Sequence, residues 1–153
     1  MKQRIYIDTS VVGGYFDDEF KEATVKLFDE IKNDDFSVYI STVTVDELDK
    51  APLKVKQLLD VLQIDYQTIS LTDEAIYLAN QYQIENVVGK TSYDDCLHIA
   101  IATIARLDVL VSWNFKHIVN LRRIKGYNGI NLKNGYPTIE IRSPKDILNY
   151  ENE

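Results

Sequence analysis

Four positions in the chain place an oxygen-bearing side chain just after a predicted strand or in the first turn of a predicted helix. They are Asp8, Glu47, Asp95 and, at the fourth position, Asn114. In parallel α/β sheets, ligands bind beyond the carboxyl ends of the strands, where loops lead into helices. We therefore expect these four side chains to meet in one crevice as candidate catalytic residues.

Carboxylates that converge in this way suit a hard divalent cation such as Mg²⁺ or Mn²⁺, which takes oxygen ligands and keeps several exchangeable waters. A bound cation of this kind makes water acidic enough to attack a phosphodiester and stabilises the charge that develops. We expect Asp8, Glu47 and Asp95 to be the metal ligands.

Each acid also has a purely structural interpretation. Asp8 could cap the helix that follows it, Glu47 could form a capping box with Thr44, and Asp95 stands three residues after Ser92. Independent capping does not explain why acids recur at the ends of successive strands in one short chain. The helix dipole also keeps such an acid ionised, as a metal ligand must be.

Three further polar residues are auxiliary candidates. Ser10 and Ser112 could hold a water or a phosphate, although turn chemistry is the simpler interpretation for Ser112. Asp94 adjoins Asp95, but neighbouring residues of a helix point in different directions, so we rank Asp94 lower.

A basic segment follows Asn114 and could guide an RNA backbone, although a charged run is usually a solvated surface. Its candidate RNA contacts are Lys116, Arg122, Arg123 and Lys125. Trp113 and Tyr127 could stack on bases, but aromatic residues beside a strand end more often pack in the core. We interpret His98 and Cys96 as packing residues too, since hard cations prefer oxygen and Cys96 has no histidine partner at a recognisable spacing.

The composition sets wider limits. The 153 residues fit one domain, with 45% hydrophobic and 27% charged residues. The formal net charge of -7 argues against coating nucleic acid by bulk electrostatics, but a cation held by acids would restore local attraction for phosphate. The start turns polar too early for a signal peptide, no apolar run could cross a membrane, and a single cysteine agrees with a cytoplasmic location.

The apolar pattern alternates between strand and helix. Strands are predicted at 4–7, 36–40, 66–71, 109–111 and about 138–141, and helices around 23–31, 44–63 with a break at Pro52, 72–82, from Ser92 to about 107, and near 145–148. The helix after Ser92 is apolar nearly all round and should be buried. This order predicts an α/β domain whose mostly parallel sheet is covered on both faces.

With these positions placed, the sequence resembles the PIN-domain family, whose best-known members are VapC-like toxin ribonucleases. The matching segments are IYIDTSVV at Asp8, STVTVDEL at Glu47, DCLHIAIA at Asp95 and LVSWNFKHI at Asn114, in that order over nearly the whole chain.

The resemblance implies a three-layer α/β/α sandwich and a Mg²⁺- or Mn²⁺-dependent endoribonuclease that leaves a 5′-phosphate and a 3′-hydroxyl. It places the family's four acids at Asp8, Glu47, Asp95 and Asn114, and it implies a small antitoxin partner and a homodimer. Asn114 departs from the pattern because an amide contributes no charge, so a second cation should bind more weakly.

Two alternatives remain open. A PIN-like domain without turnover could merely bind RNA or a protein, and Asn114 favours that hypothesis. A phosphatase-like enzyme could use Asp8 as a nucleophile, but such enzymes commonly need an acid two residues further on, where this chain has Ser10.

Overall fold

The computed structural model describes residues 2–85 and 91–151, the last three without their side chains. The strands of this part are β1 (Gln3–Ile7), β2 (Phe36–Ser41), β3 (Tyr66–Ile69), β4 (Val109–Val111) and β5 (Glu140–Arg142). Its helices are α1 (Thr9–Gly14), α2 (Lys21–Lys32), α3 (Thr42–Asp49), α4 (Leu53–Lys56), α5 (Leu58–Val61), α6 (Asp73–Ile84), α7 (Tyr93–Ile104), α8 (Leu121–Lys133) and α9 (Pro144–Glu151).

The five strands form one sheet in the order β3-β2-β1-β4-β5, and each neighbouring pair is parallel. Ile5 of β1 is in register with Val38 on one side and with Val109 on the other. The chain builds the sheet outwards from β1 in one direction and then returns to add β4 and β5 on the other side. The space between the carboxyl ends of β1 and β4 is therefore the topological switch point, where such sheets bind ligands.

Helices cover both faces of the sheet because successive residues of a strand point to opposite sides. Tyr6 faces a core that includes α6, α7 and part of α8, whereas Ile5 and Ile7 face a second core formed with α1, α2, α4, α5 and α9. The chain is thus an α/β/α sandwich with an entirely parallel sheet, which confirms the predicted fold class.

Helix α7 lies within the first of these cores, as its composition predicts. All eight residues from Cys96 to Thr103 are buried. A helix that is apolar on every side is most stable when it is enclosed on every side, because burial removes its apolar surface from water. Asp94 and Asp95 belong to the first turn of α7, so burial of the remainder fixes the position of both acids at the edge of the sheet.

The start of α3 differs from the prediction. The helix begins at Thr42 because the Ser41 hydroxyl accepts the N–H groups of Val43 and Thr44, while the Thr44 hydroxyl accepts the N–H of Ser41. The predicted capping box between Thr44 and Glu47 is therefore wrong. Glu47 lies in the second turn rather than the first.

Helix α8 was not predicted, because Gly126, Gly129 and several asparagines in its sequence disfavour a helix. It forms because Tyr127 and Ile130 bury one side against the core, and because Asn120 accepts the N–H of Arg123 at its start. Among the described residues, no helix has the length and apolar character needed to span a membrane.

Candidate active site

Asp8 lies between β1, which ends at Ile7, and α1, which begins at Thr9. Its carboxylate accepts the N–H of Val11 at 3.3 Å, so it does cap α1, and it also accepts the hydroxyls of Ser10 at 2.5 Å and Ser112 at 2.6 Å. Only 3% of Asp8 is exposed. A carboxylate has about four acceptor positions, so these three bonds leave one, on Oδ2.

The two serines connect Asp8 to the loop after β4. Ser10 Oγ accepts the N–H of Trp113 at 2.9 Å, and Ser112 Oγ accepts the N–H of Asn114 at 3.0 Å. Each hydroxyl thus accepts from one backbone and donates to the Asp8 carboxylate. The serines fix how Asp8 is oriented across the switch point between β1 and β4.

Burial raises the pKa of Asp8 above its usual range, although the charge of His98 and the hydroxyls of Ser10 and Ser112 act in the opposite direction. Burial thus outweighs the charge of His98 and the hydrogen bonds in its effect on the pKa of this carboxyl group.

Glu47 projects from α3 towards the carboxyl ends of β1 and β4, which we call the rim of the sheet, and is held by two side chains. Its Oε1 accepts the Thr9 hydroxyl at 3.0 Å and Nε2 of His98 at 2.5 Å; Nε2 must donate, because a carboxylate only accepts. Burial favours a higher pKa for Glu47, but the hydrogen bond and charge of His98 and the bond from Thr9 outweigh it, so the pKa is lowered. Burial likewise opposes protonation of His98, yet Glu47, Asp8 and Asp95 raise its pKa.

Asp95 projects from the first turn of α7 and is only partly buried. Burial, together with repulsion from Asp8, Glu47 and Asp94, raises the pKa of Asp95 to about 6, against an opposing contribution from His98. The repulsion shows that the Asp8, Glu47 and Asp95 side chains share one electrostatic environment.

Asn114 presents its amide nitrogen to this group. Its Nδ2 donates to Asp95 Oδ2 at 3.2 Å, and its Oδ1 accepts the N–H of His117 at 2.9 Å. The backbone N–H of His117 can meet only an acceptor, which determines which way the amide points. Asn114 therefore orients Asp95 and has its carbonyl oxygen engaged elsewhere.

The fit of this rim to a divalent cation is partial. Asp8 and Asp95 offer hard oxygen donors, and within residues 2–85 and 91–151 no lysine or arginine is ion-paired with Asp8, Glu47 or Asp95. In that same part of the chain, no three His, Cys, Asp or Glu side chains are arranged so that a single ion could contact all of them. Thr9 and His98 both donate to Oε1 of Glu47, so Glu47 Oε2 and the remaining acceptor position of Asp8 Oδ2 could face a cation. The side chains would have to move closer together before one ion could contact three of them.

The remaining predicted residues lie around the rim. Asp94 is exposed, as are Lys116, Arg122 and Lys125. Arg123 donates to the hydroxyl of Thr91, which precedes α7, so the start of α8 and its basic residues lie beside the acidic end of α7.

The aromatic and thiol candidates are packing residues, as expected. Trp113 is 8% exposed and stacks on Phe20 with ring centroids 4.3 Å apart, and Tyr127 is fully buried with its hydroxyl donating to the carbonyl of His117. Burial raises the pKa of Cys96 to about 12, which makes a thiolate nucleophile untenable.

Sequence reasoning missed two contacts of Glu47. Thr9 directly follows Asp8, and His98 lies one turn after Asp95 on α7. The helical spacing of Asp95 and His98 was the available signal. That spacing does not by itself indicate a site residue, because histidine is a poor ligand for hard cations. The fold shows that His98 instead donates to another candidate ligand, Glu47.

Comparison with known proteins shows which solved structures share this fold. No family model matches the sequence, and no curated protein is similar to it in sequence. Solved structures match over most of the chain, among them the following three. VapBC2 from Rickettsia felis bound to a promoter DNA fragment is 14% identical, with a TM-score of 0.56 over 92% of this chain and 98% of that one. The Mycobacterium tuberculosis VapC20 toxin, which cleaves the sarcin-ricin loop, is 11% identical, with a TM-score of 0.58 over 74% and 92%. FitAcB from Neisseria gonorrhoeae is 15% identical, with a TM-score of 0.58 over 92% and 97%.

The class defined by this topology is the PIN domain, and the chain has the VapC-like form of that fold. At these identities the similarity concerns the fold alone. What the site does must be argued from its own residues.

Proposed function

We propose that the protein is a Mg²⁺- or Mn²⁺-dependent endoribonuclease. The observation that carries the proposal is geometric: Ser112 and Asn114, both in the loop after β4, hold the Asp8 and Asp95 carboxylates at the switch point of a PIN-domain sheet. Burial and the charge of Asp8 raise the pKa of Asp95 to about 6. Two carboxylates that repel each other are stabilised by protonation or by a cation between them. At neutral pH a divalent cation is the suitable partner, and a bound divalent cation can activate water against a phosphodiester.

The residues of the chain would divide the work by their contacts. Asp8, held by Ser10 and Ser112, and Asp95, held by Asn114, would keep two carboxylates in fixed orientations at the rim. Glu47 would complete the site from α3 and accept a proton or orient a water. A divalent cation bound there would supply an acidified water and offset the charge that develops on the phosphate.

The basic residues beside α7 support an RNA substrate. Lys116, Arg122 and Lys125 are exposed next to an acidic rim in a chain of net charge -7, so they concentrate positive charge where a backbone would approach. Phosphate contacts of this type position a strand without selecting its sequence.

We also propose a small antitoxin partner and a homodimer. VapBC2 and FitAcB, which share the fold, are toxin–antitoxin assemblies, and VapC20 is a toxin that cleaves RNA. An RNA substrate and an antitoxin would both place the chain in the cytoplasm.

The decisive experiment compares cleavage of single-stranded RNA by the wild type, Asp8→Asn and Asp95→Asn, with Mn²⁺ and with EDTA. Loss of outer-shell partners alone costs about 10- to 100-fold in metal sites, so we expect each substitution to reduce cleavage by more than about 100-fold, and EDTA to abolish it. Asp94→Asn is the matched control, since Asp94 is exposed beside Asp95. Undiminished cleavage by Asp95→Asn would assign the chemistry to another site.

A PIN-like domain that binds without turnover is the second candidate. The specific observation in its favour is that, among the described side chains, no three His, Cys, Asp or Glu residues are arranged so that one ion could contact all of them. Absence of cleavage by the wild type at every Mn²⁺ and Mg²⁺ concentration, combined with retained RNA binding, would establish it.

A further inference from the structure

Phe115 is an exposed aromatic residue beside the candidate site. It follows Asn114 and precedes Lys116, and 47% of it is exposed, whereas the neighbouring Trp113 is 8% exposed. Single exposed hydrophobic residues are common on protein surfaces, so what distinguishes Phe115 is its place in the loop next to the catalytic candidates.

The ring of Phe115 rests on a rigid aromatic base. It meets Trp113 edge to face, with centroids 6.0 Å apart and planes at 61°, and Trp113 stacks on Phe20 at 4.3 Å. Trp113 Nε1 donates to the Thr24 hydroxyl at 2.9 Å, which fixes the indole. The Phe115 ring is therefore supported from below, and ordering it on binding costs little entropy.

A groove connects this ring to the rim. One cavity of about 440 Å³ is lined by Ser10 and Asn114 together with Phe20 and Trp113. A second, of about 610 Å³, shares Phe20 and Trp113 and continues to Phe115. The groove thus starts at two residues that orient the aspartates, passes the exposed aromatic ring and continues between α2 and α9.

The charges along the groove indicate which part of a nucleotide it could hold. Four acidic residues line it against two lysines, so its net charge is negative and does not favour a phosphate. They are Asp17, Glu19, Glu22 and Glu30, with Lys26 and Lys145. Lys116 directly follows Phe115 in the chain, is exposed and could contact the RNA backbone instead. A neutral, planar base fits the aromatic ring, since every base has a π-face that stacks on phenylalanine.

We propose that Phe115, supported by Trp113 and Phe20, is a stacking subsite for one unpaired nucleobase of a single RNA strand that passes the acidic rim. This proposal rests on the proposed function for the presence of RNA, and it adds that the substrate must have an unstacked base next to the phosphate at the rim. Paired RNA does not offer such a base.

The test measures binding rather than cleavage. Trp113 is the only tryptophan of the chain, so its fluorescence reports directly on this subsite. We would titrate the full chain, with Ca²⁺ in place of Mg²⁺, using hexa-adenylate and a ribose-phosphate hexamer without bases. Affinities would be measured by anisotropy of the same oligonucleotides carrying a terminal dye, for the wild type, Phe115→Leu, Phe115→Tyr and Tyr77→Leu. Tyr77 is the matched control because it is 57% exposed on α6, in the layer on the other face of the sheet.

We expect hexa-adenylate to change Trp113 emission in the wild type. Stacking of one base is worth about 5- to 160-fold in affinity, so Phe115→Leu should weaken the binding of hexa-adenylate by that factor. The binding of the ribose-phosphate hexamer without bases should stay unchanged. Phe115→Tyr should bind like the wild type, and so should Tyr77→Leu.

Equal affinity of Phe115→Leu and wild type for hexa-adenylate would overturn the proposal and leave the groove to an apolar protein segment. Equal losses for both oligonucleotides would overturn it as well, because they would assign Phe115 to the backbone path or to loop structure. Failure of cleavage with a Phe115-dependent preference for bases would instead refute the proposed enzyme and keep the subsite.

Discussion

At the scale of single residues, the site depends on side chains that hold other side chains. The imidazole of His98 donates to Glu47 from Nε2, and its Nδ1 shares a 2.5 Å hydrogen bond with the Tyr6 hydroxyl, which also contacts Ser41 at 2.8 Å. His98 is 1% exposed, so Glu47 is anchored through His98 to the buried face of the sheet. We infer that His98 is a positioning residue for Glu47.

Replacing His98 should therefore affect cation binding through Glu47. We expect His98→Leu to weaken Mn²⁺ binding, measured by calorimetry, by about 10- to 100-fold, as loss of an outer-shell partner does in other metal sites. His98→Gln should restore part of the affinity because its amide can still donate to Glu47. Thr103→Val is the control: Thr103 is buried two turns along α7 and its hydroxyl bonds to Ile99 and Asn131, away from Glu47. If Thr103→Val weakened Mn²⁺ binding as much as His98→Leu, the effect would reflect general loosening of α7.

At the scale of elements, the position of Asp8 depends on how closely α1 approaches the loop after β4. Gly14 ends α1, and a Cβ there would lie 2.7 Å from Cδ1 and Nε1 of Trp113 and 2.9 Å from the Thr24 hydroxyl. Those atoms belong to the indole and its hydrogen-bond partner, so they cannot yield without opening the contact. Only glycine permits α1 to lie this close.

Gly14→Ala should consequently destabilise the protein. Overpacking of a buried contact costs about 1–3 kcal/mol, which we expect as a lower free energy of unfolding in urea. Gly13→Ala offers a matched control, because a Cβ at Gly13 meets nothing within 4 Å. In that variant the better helix propensity of alanine should leave stability unchanged or raise it by about 0.5–1 kcal/mol. Similar stabilities for the two variants would contradict the close-approach argument.

At the scale of the whole molecule, a chain with a net negative charge places several of its carboxylates at the rim of its sheet. The folded state raises the pKa of Asp95 from 3.8 to about 6 and raises that of Asp8 as well, so it binds protons more tightly there than the unfolded chain does. Folding thus loses stability as pH rises through this range. His98, whose pKa is raised above 6.5, contributes stability at low pH that disappears as pH rises through its folded pKa.

All three groups act in the same direction, and the lowered pKa of Glu47 affects stability only below about 4.5, its ordinary value. In EDTA, the melting temperature should therefore fall between pH 5.5 and pH 8. The decline should be smaller in Asp95→Asn. At pH 7.5 a saturating concentration of Mn²⁺ should raise the melting temperature of the wild type, and less so that of Asp95→Asn. A melting temperature in EDTA that rises with pH over this window would show that the rim is not strained by its charges.

The amino-acid sequence by itself determined the layout of this protein. Alternating strand and helix patterns predict the parallel sheet, because periods of 2 and 3.6 residues are local properties. The all-apolar character of α7 predicts its burial, and therefore places Asp95 at the rim. The same patterns place Asp8 and Asn114 just after strands and Glu47 and Asp95 in helices that begin at the same end of the sheet.

Only the tertiary structure decided how those side chains are used. The engagement of Glu47 by His98 depends on two helices from distant parts of the chain lying side by side on one face of the sheet. The orientation of Asn114 towards Asp95 depends on a backbone N–H in the loop after β4, and α8 forms by burying Tyr127 despite its glycines. Apart from the short-range bond from His117 to Asn114, these contacts join residues far apart in sequence, and their energies arise from burial and distance, which no local pattern encodes.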